Sequence, residues 1–115
     1  MSDEARLQVI FYRTTAGNEP VREWLKALPP EERKIIGDDL KTAQYGWPLG
    51  MPLIRKLEAG LWEVRCRLQD RIARVIFTVE SDAMVLLHGF IKKSQKTPRQ
   101  DLQLARQRLQ SLSKE

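Results

Sequence analysis

Leu61-Trp-Glu-Val-Arg-Cys-Arg-Leu68-Gln-Asp-Arg-Ile-Ala-Arg-Val-Ile-Phe-Thr-Val79 reads as two strands joined by a tight turn at Gln69-Asp70. Apolar and charged residues alternate through Leu61–Leu68, and a largely apolar, β-branched run follows from Ile72. A two-residue turn sets the register and puts Arg65 opposite Arg74 and Trp62 opposite Phe77. Trp62, Val64, Cys66, Ala73, Val75 and Phe77 then share one sheet face, predicted to pack on helices. Glu63, Arg65, Arg67 and Arg74 share the other, predicted to stay polar and open. Like charges directly opposed across a ladder destabilise it. Their placement points to an anion held between them, and in a basic chain the leading candidate is a phosphate. The competing reading is a solvated face with salt bridges to Glu63 and Asp70.

On the N-terminal side, Leu7-Gln-Val-Ile-Phe-Tyr12 is strand-like and Gly17 marks a turn. Pro20 suits a first helical position, and Val21, Trp24, Leu25 and Leu28 form one apolar stripe after it. Pro29-Pro30 ends that helix and Pro30 opens the next, with Glu31 and Glu32 favourable in its first turn and Ile36, Leu40 and Ala43 on one face. The two form a helical hairpin. Trp47, in a Gly- and Pro-rich loop, is expected to tuck back on the core.

On the C-terminal side, strand-like runs near 53–58 and 83–91 complete an antiparallel meander with the central pair. Thr97-Pro98-Arg99-Gln100 reads as a capping box with Pro at N1, ahead of an amphipathic helix bearing Leu102, Ala105, Leu109 and Leu112. The predicted fold class is α+β: N-terminal strand, helical hairpin, antiparallel β-meander and C-terminal helix, in one domain over residues 1–115.

The 115 residues carry a net charge of +5, placed unevenly. Residues 55–99 hold 10 Lys and Arg against 5 Asp and Glu, and the remainder is balanced. A localised basic excess is the electrostatic footprint of a nucleic-acid binder, although solubility alone can also account for it. No apolar run is long enough to span a membrane. Met-Ser-Asp-Glu carries acid where a signal peptide carries positive charge, so a cytoplasmic location is expected. One His and one Cys argue against a structural zinc site, and no Walker loop, dinucleotide fingerprint or carboxylate cluster appears, so no metal or cofactor is expected.

The basic cluster extends to Arg55-Lys56, Lys92-Lys93 and Lys96. With a two-residue turn at Ser81-Asp82, Gly89 faces Arg74 and leaves room beside it. Lys93 points to the same open face, so Arg65, Arg67, Arg74 and Lys93 converge. His88 is the one side chain suited by default to proton transfer near neutrality. The two-residue turn puts it on the core face with Val75, and one added residue flips it into the basic groove. Cys66 falls on the buried face and reads as inert core.

These residues resemble the RelE/ParE toxin superfamily, with the HigB-like branch, often described as phage-derived, the nearest. The resemblance is carried by Val9-Ile-Phe-Tyr12, Pro20-Val-Arg-Glu-Trp-Leu25, Leu61-Trp-Glu-Val-Arg65, Arg74-Val-Ile-Phe77 and Leu87-His-Gly-Phe-Ile-Lys-Lys-Ser-Gln-Lys-Thr-Pro98. It covers about residues 7–110 and implies a type II toxin–antitoxin toxin. Relatives cleave mRNA without a metal, usually in the ribosomal A site. Their partner is a helix-turn-helix antitoxin, through which operator DNA is bound. The resemblance fits Arg65, Arg74 and Lys93 to basic positions of the catalytic groove, and the surrounding basic cluster adds Lys56, Arg67, Lys92 and Lys96 as expected RNA contacts. A tyrosine frequent on the terminal helix of ribosome-dependent relatives has no match, since no Tyr follows Tyr45. His88 or a lysine is left for proton transfer. Two alternatives remain open: a ParE-like inhibitor of DNA gyrase, and a non-catalytic nucleic-acid-binding module.

Overall fold

Pro20 and Pro30 each open a helix, because a missing N–H costs nothing in a first turn and the fixed φ is already helical. In the computed structural model, which describes residues 6–92 and 96–112, the elements run β1 (Gln8–Phe11), α1 (Pro20–Lys26), α2 (Pro30–Gly46), β2 (Ile54–Glu58), β3 (Leu61–Arg67), β4 (Ile72–Glu80), β5 (Ala83–Lys92) and α3 (Arg99–Leu112). The expected α+β architecture is present. The sheet order is β1-β5-β4-β3-β2. Strands β2 to β5 form the antiparallel meander, and β1 returns beside β5 in parallel.

The central hairpin has the predicted register, with Arg65 opposite Arg74 and Trp62 opposite Phe77. Its apolar face packs on α1 and α2, where Val21, Ile36, Leu40 and Ala43 meet Val64, Cys66, Ala73, Val75 and Phe77. Trp47 does tuck back, its ring edge-on to Trp62 and Phe77 at 5.2 and 5.7 Å between centroids.

The second face is not left open. Leu102, Ala105, Leu109 and Leu112 of α3 pack over Leu61, Ile76, Val85 and Leu87, with Tyr12 at the edge. The face is therefore divided. One half is a second apolar core under α3, and the other keeps the arginines. The alternation of β3 and β4 showed which side chains share the face, but not where a helix some thirty residues on would lie.

The β4–β5 pairing corrects a further expectation. Pairing starts at Glu80–Ala83, as a two-residue turn requires, and then shifts between Phe77–Leu86 and Ile76–His88. Leu87 is the extra residue of a β-bulge, which reverses the alternation beyond it. Arg74 consequently faces Phe90, and Gly89 stands opposite Val75. The bulged residue is not left unsatisfied: Arg108 of α3 donates from Nη1 to the Leu87 carbonyl at 2.6 Å.

Gly89 has a packing role on the helical side. A Cβ there would lie 2.3 Å from Cε3 of Trp24. Gly89→Ala is expected to destabilise by about 1–3 kcal/mol through overpacking, read as a lowered urea midpoint at unchanged slope.

Candidate nucleic-acid interface

Alternation along the meander places Arg55, Glu63, Arg65, Arg67 and Arg74 on one side of the sheet, in adjoining positions. Arg55 stands opposite Glu63, Arg65 opposite Arg74 and Arg67 opposite Ile72. Arg67 and Arg55 are exposed and Arg65 is partly exposed. The Arg65 Nε is buried and has no hydrogen-bond partner.

Arg74 differs from its neighbours. It is 0% exposed, and so is Glu63, whose Oε1 lies 3.9 Å from the Arg74 Nη1. Burial pulls the guanidinium below the usual arginine range, the Glu63 carboxylate opposes that, and the Arg65 and Arg55 cations add to it. An arginine so shifted still carries its charge at neutral pH. Glu63 is also held from above, because Thr97 donates from Oγ1 to its Oε2 at 2.8 Å. Thr97 thus serves the sheet rather than the expected capping box. The helix begins one residue later than expected, with the Pro98 carbonyl accepting from the Leu102 N–H.

His88 lies on the arginine side, in line with Glu63 and Ile76 across the sheet. Of the two sequence alternatives this is the groove side, reached by the bulge and not by a longer turn. Its ring stacks on Phe90 at 5.4 Å, and its Nε2 meets the Asp101 Oδ1 of α3 at 2.6 Å. A carboxylate only accepts, so this bond keeps a proton on Nε2 and makes Nδ1 the basic nitrogen of the neutral ring. The ring and the carboxylate are both mostly buried.

The other sequence candidates divide. Lys56 does not join the arginines. It stands opposite Trp62 on the other face, its ammonium 5.9 Å from the indole centroid. Arg55, its neighbour, holds the groove position instead, and the pairing parity of β2 was the signal that could have found it. Lys96 is exposed just ahead of α3. Lys92 ends β5 opposite Ile72. Lys93 lies outside the described residues. Asp70 makes no ion pair with the arginine pair, and Arg71 beside it is bound by Glu32 of α2. Asp101 and Thr97 are the residues that sequence reading did not bring to the site, whereas Glu63 stands on the arginine face where the alternation put it.

Cys66 is fully buried. Burial and the nearby Asp39 carboxylate both push its thiol up, far from nucleophilic reactivity. The native thiol is expected to resist an aromatic disulfide reagent in mildly alkaline buffer and to react fully in denaturant. Cys66→Ala should cost about 1 kcal/mol of stability, from the lost burial of one small side chain, and leave activity unchanged. Among the described residues no group of three or more His, Cys, Asp and Glu is placed to hold a metal ion. No helix among them is long and apolar enough to cross a membrane.

A mixed five-stranded sheet between a helical pair and a terminal helix, with a basic patch beside that helix, is compatible with the RelE-like class of small α+β proteins. The family model described as Phage derived protein Gp49-like (DUF891) matches residues 23–110, and the chain belongs to that family, a toxin-like group related to RelE-type proteins. The match reaches this phage-derived family and not a HigB-like branch within it. No curated protein matches the chain.

Proposed function

We propose that this protein is the toxin of a type II toxin–antitoxin pair, acts in the cytoplasm, and cleaves mRNA on its arginine face without a metal. A HigB-like mode of action on ribosome-bound mRNA is the form of the reading that the Leu87–Pro98 stretch supports best. A helix-turn-helix antitoxin would be its partner. The observation that carries the reading is the opposition of Arg65 and Arg74 on one sheet face, with Arg55 and Arg67 on the same face. Four cations gathered there, one of them buried, form a field suited to a polyanion.

The chemistry requires a deprotonated 2′-hydroxyl, stabilised charge on the phosphorane, and a protonated 5′-oxygen. The 2′-oxygen attacks phosphorus, the P–O5′ bond breaks, and the products are a 2′,3′-cyclic phosphate and a 5′-hydroxyl. Arg65, partly exposed on the arginine face, is the residue to grip the phosphate. Arg55 holds a neighbouring phosphate. Arg74 is enclosed and acts from behind as a fixed positive charge that needs no reorganisation. His88 supplies proton transfer through Nδ1, with Asp101 orienting the ring. Sheet spacing separates the Cα atoms of His88 and Arg65 by about 12 Å, leaving room for one phosphodiester between their side chains. Lys93 is the other candidate for this step.

Primer extension on mRNA from cells expressing the protein tests the reading. Discrete cuts within codons are expected. Intact mRNA with stalled replication would overturn it in favour of gyrase inhibition. Arg65→Ala is expected to lower cleavage by about 10²-fold, the usual loss for one charge-stabilising donor, with the fold unchanged because the side chain is not enclosed.

A further inference from the structure

A cavity of about 520 Å³ opens between α2, the segment leading into β2, and the ends of β3 and β4. Ile35, Leu53 and Ile72 provide apolar walls, and Asp39, Arg65 and Arg67 provide the polar groups. Such dimensions suit a small organic ligand, and apolar walls with a few convergent polar groups are the usual make-up of a ligand site. The cavity shares Arg65 with the phosphate face, so a ligand in it is continuous with a bound backbone.

The polar groups are not paired with one another. Among the described residues no ion pair joins Asp39 to Arg65 or Arg67. Burial raises the pKa of the Asp39 carboxylate, as expected of an anion kept partly from water, and the nearby Cys66 thiol opposes that rise. A carboxylate and two guanidinium groups thus line one slot without neutralising one another.

We propose that this cavity is a nucleobase pocket selective for guanine in single-stranded RNA, beside the phosphate held by Arg65. Guanine offers two adjacent donors, N1–H and the 2-amino group, which one carboxylate accepts together. Its O6 and N7 are two adjacent acceptors, the arrangement a guanidinium reads bidentately. Adenine puts a 6-amino donor where the arginine needs an acceptor, and it lacks the N1 proton. Pyrimidines lack N7. The apolar walls cover the faces of the ring, the way unstacked bases are held in single-strand recognition. The pocket rests on the ribonuclease reading for its ligand being RNA, and it adds the base preference that reading lacks.

The test is binding of the full chain to 2′-O-methyl trinucleotides, which cannot be cleaved. These carry uridine at both ends and guanosine, adenosine, cytidine, uridine, inosine or xanthosine in the middle. Guanosine is expected to bind on the order of tenfold tighter than adenosine or either pyrimidine, with inosine intermediate because it lacks the 2-amino donor. Asp39→Asn should erase the guanosine preference and favour xanthosine, whose 2-oxo group accepts from the amide. The substitution removes a charge that burial already disfavours, so the fold is retained. Equal affinity for all six, as when the cavity serves an antitoxin side chain instead, overturns the pocket. So does a guanosine preference that survives Asp39→Asn. Failure of the ribonuclease reading shows separately, as uncut mRNA in primer extension.

Discussion

Arg74→Ala is expected to cost about 3–5 kcal/mol of folding stability and to abolish growth arrest. The side chain is fully enclosed and faces Glu63, which is fully enclosed too. Removing the cation strands a buried carboxylate, and that uncompensated charge is the main source of the loss. Lost toxicity in this single variant therefore cannot be credited to phosphate binding alone. The double variant Glu63→Leu with Arg74→Met separates the two effects. Apolar side chains of similar size remove both desolvated charges, and replacements of this kind are often neutral or stabilising. The double variant should recover most of the thermal midpoint and still fail to arrest growth, because the fixed charge behind Arg65 is gone. Arrest at the wild-type level in a folded double variant would show that Arg74 serves the fold only.

His88→Ala is expected to reduce mRNA cleavage by about 10²–10⁴-fold, the range for loss of a positioned acid–base group. The accompanying stability loss should be small, since the ring stacks on Phe90 and bonds Asp101 but lies outside both apolar clusters. Asp101→Asn provides the control. It keeps the shape but removes the obligate acceptor, so the ring is no longer held with its proton on Nε2. A loss smaller than that of His88→Ala is the expected result. Cleavage that is unchanged in His88→Ala would leave proton transfer to Lys93.

The central hairpin and both Pro-initiated helices were legible because each rests on local rules. A two-residue turn fixes strand register, and proline fixes where a helix starts. From that register came the opposition of Arg65 and Arg74 and the burial of Cys66. The face of His88 was not legible. Leu86 and Leu87 are both apolar, one serving each core, so nothing in their chemistry marks Leu87 as the bulge. Lys56 and Arg55 posed the same difficulty, being equally basic and adjacent. Only the pairing of β2 with β3 sends Lys56 to Trp62 and Arg55 to the arginine face.

The sequence by itself determined the α+β order of elements, the register of the central hairpin and the concentration of positive charge around it. These follow from periodicity, turn length and composition, which act over a few residues at a time. Tertiary structure alone decided that Arg74 is enclosed with Glu63, and that α3 covers half of the arginine face. It also brought Asp101 to His88 and Thr97 to Glu63, and set Asp39 in one cavity with Arg65 and Arg67. Those contacts join residues 13 and 34 positions apart at His88–Asp101 and Glu63–Thr97. They depend on where a helix packs and where one extra residue enters a strand, and no local pattern encodes either.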